Sequence, residues 1–154
     1  MRKEDSGVKV KQQLEEDDIP LQCKKWVEAL SEGVVGPEIE TKCLQGLKVV
    51  RAEKGFFLCT FVVPKTLSDK DGNWHTGAIA ILLDDLAATA VASLEGKIKL
   101  SVDFDISFLS SVKIEEEVEI EAKVLSHKGK LTSVSKLCLL SAEDRVRSSA
   151  FLHR

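Results

Sequence analysis

The chain has 154 residues, an apolar fraction of 44% and a net charge of -3. That length and apolar content suit one domain around one core, and the mildly acidic balance excludes nucleic-acid binding driven by net charge. Four cysteines without a CxxC pair and three scattered histidines offer none of the usual zinc spacings, so no metal is expected, and the cysteine usage points to reduced thiols in an intracellular protein.

Residues 1–18 are charged and lack apolar periodicity, which predicts a flexible tail ahead of a single domain over 19–154. They contain no apolar stretch of the secretory kind, so no leader is expected. The cytoplasm is the expected compartment, with peroxisome or organelle matrix left open. A helix is predicted from Pro20, with Asp17 and Asp18 at its positive end. Cys23, Trp26, Val27 and Leu30 follow i, i+3, i+4, i+7 spacing and predict one apolar face, closed off by Gly33 and Gly36. Residues 44–52 and 56–63 read as strands around a turn at Glu53-Lys54-Gly55. Phe57, Cys59, Phe61 and Val63 share one face of the second. Residues 65–74 are polar and turn-rich, and Asn73 is the predicted N-cap of the next element.

That element, NWHTGAIAILLDDLAATAVASL over residues 73–94, holds the longest apolar run in the chain. The run over 78–94 falls short of the roughly 20 residues that span a bilayer, and Asp84 and Asp85 at its middle would be costly in lipid. It therefore predicts a helix buried in a protein core. After Gly96, Ile98, Leu100, Val102, Phe104, Ile106 and Phe108 occupy every second position, predicting a long half-buried strand. Val118, Ile120, Ala122 and Val124 predict another, His127-Lys128-Gly129-Lys130 a turn, residues 131–140 a returning strand, and residues 144–153 a short edge strand. The sum is an α+β arrangement, one antiparallel sheet whose apolar face wraps a single helix.

Two readings of the Asp84–Asp85 pair follow from the residues alone. The pair marks a solvated stripe on the helix, or one carboxylate is held partly buried at a site as base or nucleophile. His75 and Asp84 are nine residues apart, so on a helix of about 100° per residue they point to opposite sides, some 13 Å apart along the axis. Two antiparallel copies of the helix about a two-fold axis would bring His75 of one to Asp84 of the other, where free N–H groups at a helix start can stabilise an oxyanion.

The order of elements and the residues around the helix resemble the hotdog-fold thioesterases, in particular the small single-domain acyl-coenzyme A thioesterases of the phenylacetate-pathway and 4-hydroxybenzoyl type. That family carries His-Gly-Gly, then an apolar helix with an aspartate nine places after the histidine. HTGAIAILLDD has His75 and Asp84 at that interval, Ser101-Val102-Asp103 matches the family's Ser-Val-Asp, and residues 115–134 resemble its following hairpin. The likeness covers residues 44–140. It implies a hotdog fold and hydrolysis of a fatty or aromatic acyl-coenzyme A to free acid and coenzyme A, with no cofactor other than the coenzyme A of the substrate. It further implies Asp84 as general base or nucleophile, and the helix start at His75, Thr76 and Gly77 as the group polarising the thioester carbonyl. Ser101 would orient the carboxylate or a water, although it falls on the polar face of its predicted strand. Asp69, six places before His75, would hold water or substrate. Lys128, Gly129 and Lys130 would meet coenzyme A phosphates. The implied assembly is a homodimer, paired further into a dimer of dimers, with the site shared between subunits. Thr76 and Asp69 stand where the family has glycine and asparagine. They leave open a module that binds acyl-coenzyme A, or assembles, without turnover.

Overall fold

The structure is a computed structural model describing residues 18–108, 110–140 and 148–153, with side-chain surroundings up to residue 135. Apart from Asp18, the expected N-terminal tail lies outside the described residues. The elements in order are α1 (Ile19–Ser31), α2 (Glu38–Leu44), β1 (Lys48–Glu53), β2 (Phe56–Val62), a short 3-10 turn (Lys65–Leu67), α3 (Thr76–Glu95), β3 (Asp103–Ile106), β4 (Glu117–Lys128), β5 (Leu131–Leu140) and β6 (Ser148–His153). The six strands form one antiparallel sheet in the order β1-β2-β4-β5-β6-β3.

The apolar alternation of β2 and β4 is in phase across their pairing. Phe57 faces Ala122, Cys59 faces Ile120 and Phe61 faces Val118, and none of the six is more than 1% exposed. Period-two side chains on paired strands stand on one face, and here that face is the floor on which α3 lies. Leu82, Leu86 and Ala90 of α3 are fully buried over it. A phenylalanine moved from water into such a core contributes about 1.5–3 kcal/mol. Ser93 locks the far end of the helix: its Oγ accepts from the Gly55 N–H at 2.9 Å and donates to the Ala90 carbonyl at 2.8 Å. By length and hydropathy α3 would suffice to cross a membrane, but 56% of its most apolar window is buried within the protein, as expected of a core helix.

Several expectations need correction. The sequence reading assigned no helix between Gly36 and the first strand, yet α2 forms there and the strand starts only at Lys48. Pro37 at the N-cap, Glu38 and Glu40 in the first turn and a Lys42–Glu38 pair four residues apart are ordinary helix-start signals. The N-cap of α3 is His75, not Asn73, because Asn73 and Trp74 are drawn into backbone pairing with Lys113, Ser68 and Val112. The strand expected over residues 98–108 shrinks to β3, and Ile98, Leu100 and Val102 are 72%, 87% and 71% exposed. Alternation makes a strand possible, but a neighbour must complete its hydrogen bonds, and among the described residues β3 lies at the sheet edge paired with β6. Conversely β6, expected at an edge, runs between β5 and β3.

Candidate active site

Asp84 sits half-buried near the middle of α3, and the Ser101 hydroxyl donates to its Oδ1 at 2.6 Å. A hydroxyl donating to a carboxylate at that distance is a strong, charge-assisted bond. Ser101 reaches the helix because residues 97–101 form an irregular connection and not a strand. The polar-face objection raised by the sequence pattern therefore falls away. Asp85 is 9% exposed and faces α2, where burial first, and then the Asp85 charge, push the Cys43 thiol up. The two neighbouring carboxylates thus differ in burial and partner, Asp84 half-buried and bonded to Ser101, Asp85 buried beside α2, while both border the same open space.

Two grooves meet at Asp84. The larger, of about 900 Å³, runs along α3 between α1 and the 96–101 connection, with Trp26, Asp84, Ala88, Ala92, Leu100 and Ser101 on its walls. Its size falls in the range of ligand clefts. A smaller one of about 350 Å³ lies beneath Ile39 and Glu40 of α2 and extends to Phe104. Trp26 was expected only as part of the apolar face of α1, and Ile39 and Glu40 were not expected here. Trp26 shares the apolar stripe of α1 but is 36% exposed at its margin, and Ile39 and Glu40 belong to the helix the reading missed.

His75 caps the other end of the helix: its Nδ1 accepts the Gly77 N–H at 3.0 Å. Because a backbone N–H can only donate, Nδ1 is the accepting nitrogen, which leaves Nε2 to carry the N–H. A Cβ at Gly77 would lie 3.1 Å from both Cε1 and Nδ1 of His75, so the ring would have to shift by a few tenths of an ångström to admit one. Thr76 opens the helix on the surface without positive φ, so its β-branch is not strained. The N–H groups of Thr76 and Ala78 are first-turn donors with no intrahelical carbonyl to meet. A third groove, of about 330 Å³, passes His75, Gly77 and Ala78 and shares Ile39 and Ile81 with the one below Asp84.

Asp69 is bound to its own loop. Its Oδ1 accepts the N–H groups of Asp71 at 2.8 Å and Asn73 at 2.9 Å. The Asn73 N–H above all, against partial desolvation and with help from Asp71 and His75, holds the Asp69 carboxyl below the usual range. Lys128, Gly129 and Lys130 lie exposed at the β4–β5 hairpin. That hairpin adjoins Glu95, eleven residues from Asp84 and so about 16 Å along the helix, and borders none of the grooves at Asp84 or His75. Within one chain the structure joins Asp84 to Ser101 and keeps His75, Thr76 and Gly77 at the helix start, with His75 about 13 Å from Asp84 along the axis. Among the described residues no three His, Cys, Asp or Glu side chains cluster as metal ligands.

The sequence model of the thioesterase superfamily matches residues 71–146. Acyl-coenzyme A thioesterase 13 of Mus musculus is 32% identical over 85 residues, which are 54% of this chain and 61% of that protein. The match thus spans about three-fifths of the length of that relative. Among solved structures, thioesterase superfamily member 2 of zebra fish superposes with a TM-score of 0.77 at 23% identity, over 85% of this chain and 93% of that one. A hypothetical thioesterase of Streptococcus pneumoniae, solved with coenzyme A, superposes with a TM-score of 0.65 at 17% identity, over 71% and 84%. At these identities the structural likeness establishes the fold, which is the hotdog arrangement of a sheet wrapped around one helix.

Proposed function

We propose that this chain, whose residues 71–146 belong to the thioesterase superfamily, hydrolyses acyl-coenzyme A thioesters to a free acid and coenzyme A. The observation that carries the reading is the Ser101–Asp84 hydrogen bond on a half-buried carboxylate that borders a ligand-sized groove. In the proposed reaction the Asp84 carboxylate takes a proton from a water as its oxygen adds to the thioester carbonyl carbon. The carbon–sulfur bond then breaks, and the sulfur leaves as thiolate and is protonated. Direct addition of Asp84 to the same carbon, followed by hydrolysis of the mixed anhydride, uses the same geometry. Ser101 would hold the carboxylate in one orientation in either route.

The oxyanion would be met by first-turn N–H groups at Thr76 and Ala78, with the Nε2–H of His75 as a further donor. Because His75 and Asp84 lie at different heights and on opposite sides of α3, the reading requires a homodimer in which each helix start faces the partner's carboxylate. The exposed Ile98, Leu100 and Val102 beside the edge strand β3 support such a partner surface; a dimer of dimers is the fuller form of the same proposal. Coenzyme A would enter as part of the substrate, and Lys128 and Lys130 remain candidates for its phosphates only through the partner subunit. An intracellular location belongs to the proposal and rests on cysteine usage alone. The test is thiol release from short, long and aromatic acyl-coenzyme A by the purified protein. Release that disappears in Asp84→Asn supports the reading, and no release from any thioester sinks it in favour of a binding module.

A further inference from the structure

Residues 97–101 have no regular structure, yet Ser101 is held at hydrogen-bond distance from Asp84. A catalytic contact on an unsupported connection would be lost to motion, since a displacement of about 1 Å can lower a rate a hundredfold. The support lies two residues earlier. Gly96, at φ +69°, turns the chain out of α3 in the left-handed conformation and lets Lys99 fold back onto the last helical residue. Lys99 Nζ lies 2.5 Å from Glu95 Oε2 and donates to Thr132 Oγ1 at 3.3 Å. Thr132 donates to Glu95 Oε1 at 2.5 Å, and Nδ1 of His127 lies 2.9 Å from the same oxygen. Thr132 is fully buried on β5, so the fixed point of this cluster is the sheet itself.

We infer that Glu95, Lys99, Thr132 and His127 form a clamp that presents Ser101 to Asp84, which makes Glu95 and Lys99 positioning residues for the hydrolysis proposed above. The inference rests on that reading of Asp84. The clamp differs in kind from the surface ion pairs of the same protein. The side chains of Glu95 and Lys99 are 15% and 22% exposed, against 80% and 66% for the Glu38–Lys42 pair. Ion pairs as open as the latter contribute little, whereas a partly desolvated carboxylate with three hydrogen-bonding partners belongs to a mutually reinforcing network. Partial burial opposes ionisation of Glu95, but hydrogen bonds from Lys99 and Thr132 and the charges of His127 and Lys99 outweigh it and hold the carboxyl below its usual range. The clamp is therefore charged on its acidic side wherever the protein is folded near neutral pH.

The experiment is a double-mutant cycle of Glu95→Gln and Ser101→Ala by thiol release, with hydrogen exchange of residues 97–102 measured in parallel on the full chain. Glu95→Gln is expected to lower kcat about fivefold with KM changed less than about twofold, and to lower kcat less than about 1.5-fold once Ser101 is alanine, as coupled residues do. Lys99→Met should repeat the pattern and serves where Glu95→Gln folds poorly. Exchange over residues 97–102 should quicken in both variants while the middle of α3 is unchanged. Equal kcat losses with and without Ser101, or unaltered exchange over 97–102, would overturn the clamp. Absence of any thioester hydrolysis by the unmodified protein would instead remove the hydrolase reading, and the exchange result would still decide whether the cluster holds the segment.

Discussion

Replacement of Asp84 by asparagine separates chemistry from architecture at the proposed site. The asparagine carbonyl can still accept from Ser101 Oγ, which lies 2.6 Å from the present oxygen, and the volume is nearly unchanged. What disappears is the basic, nucleophilic oxygen. A positioned base contributes about 10²–10⁴ in rate, or about 2.7–5.4 kcal/mol of barrier at 1.36 kcal/mol per decade, and an amide cannot act as the nucleophile either. The expected result is a fall of kcat/KM by at least about a hundredfold with a cooperative melting transition like that of the unmodified protein. Asp85→Asn is the control, because Asp85 is packed towards α2 and Cys43. It should cost less than about tenfold in rate, as groups outside the reacting atoms do. Thiol release followed with a chromogenic thiol reagent over several acyl chain lengths measures both. A larger loss in Asp85→Asn than in Asp84→Asn would refute the assignment, whatever the absolute rates.

Four further outcomes are expected. Mixed dimers of Asp84→Asn with His75→Ala should regain activity that neither variant has alone, since one of the two shared sites would be intact; failure of well-folded mixtures to do so would count against the shared site. Gly77→Ala would place a Cβ 3.1 Å from the His75 ring and should displace the ring and weaken the 3.0 Å cap bond, seen as a shifted Nδ1 resonance in imidazole ¹⁵N spectra together with lower activity. Phe57→Ala empties a fully buried position on the sheet face under α3 and should lower the unfolding free energy by about 3–5 kcal/mol in urea titrations. Asp69 has a depressed folded pKa, so its contribution is present above the unfolded value of about 3.9 and is lost as pH falls through the folded one. Melting temperatures of Asp69→Asn should accordingly decline less steeply than those of the unmodified protein below about pH 4.

Cys59 illustrates how burial disfavours a thiolate. It is fully buried on the face of β2 that meets the core, and that burial, with a small contribution from Glu28, pushes its thiol up to about 12. A raised thiol pKa adds stability below the unfolded value of about 8.5 that is lost only as pH rises towards the folded one.

The alternation of β2 and β4 and the turn before β5 were enough to read these strands from the sequence, because a two-residue repeat records burial of one face directly, and α3 was legible as the longest apolar run because a helix buried on most sides is apolar on most sides. The nine-residue interval between His75 and Asp84 and the Ser101-Val102-Asp103 motif pointed to Asp84 and Ser101, which the structure joins by a hydrogen bond. The pattern could not convey whether the alternation after Gly96 would find a neighbour. That depends on where the edge of the sheet falls, and the edge is decided by β6 inserting beside β5. The same tertiary fact frees residues 97–101 to cross over α3, so that a serine counted on the wrong face of a strand donates to Asp84. Asp84 and Asp85 are identical in local sequence chemistry, and only the packing of α2 and the connection separates them, one half-buried and bonded to Ser101 and the other buried beside α2.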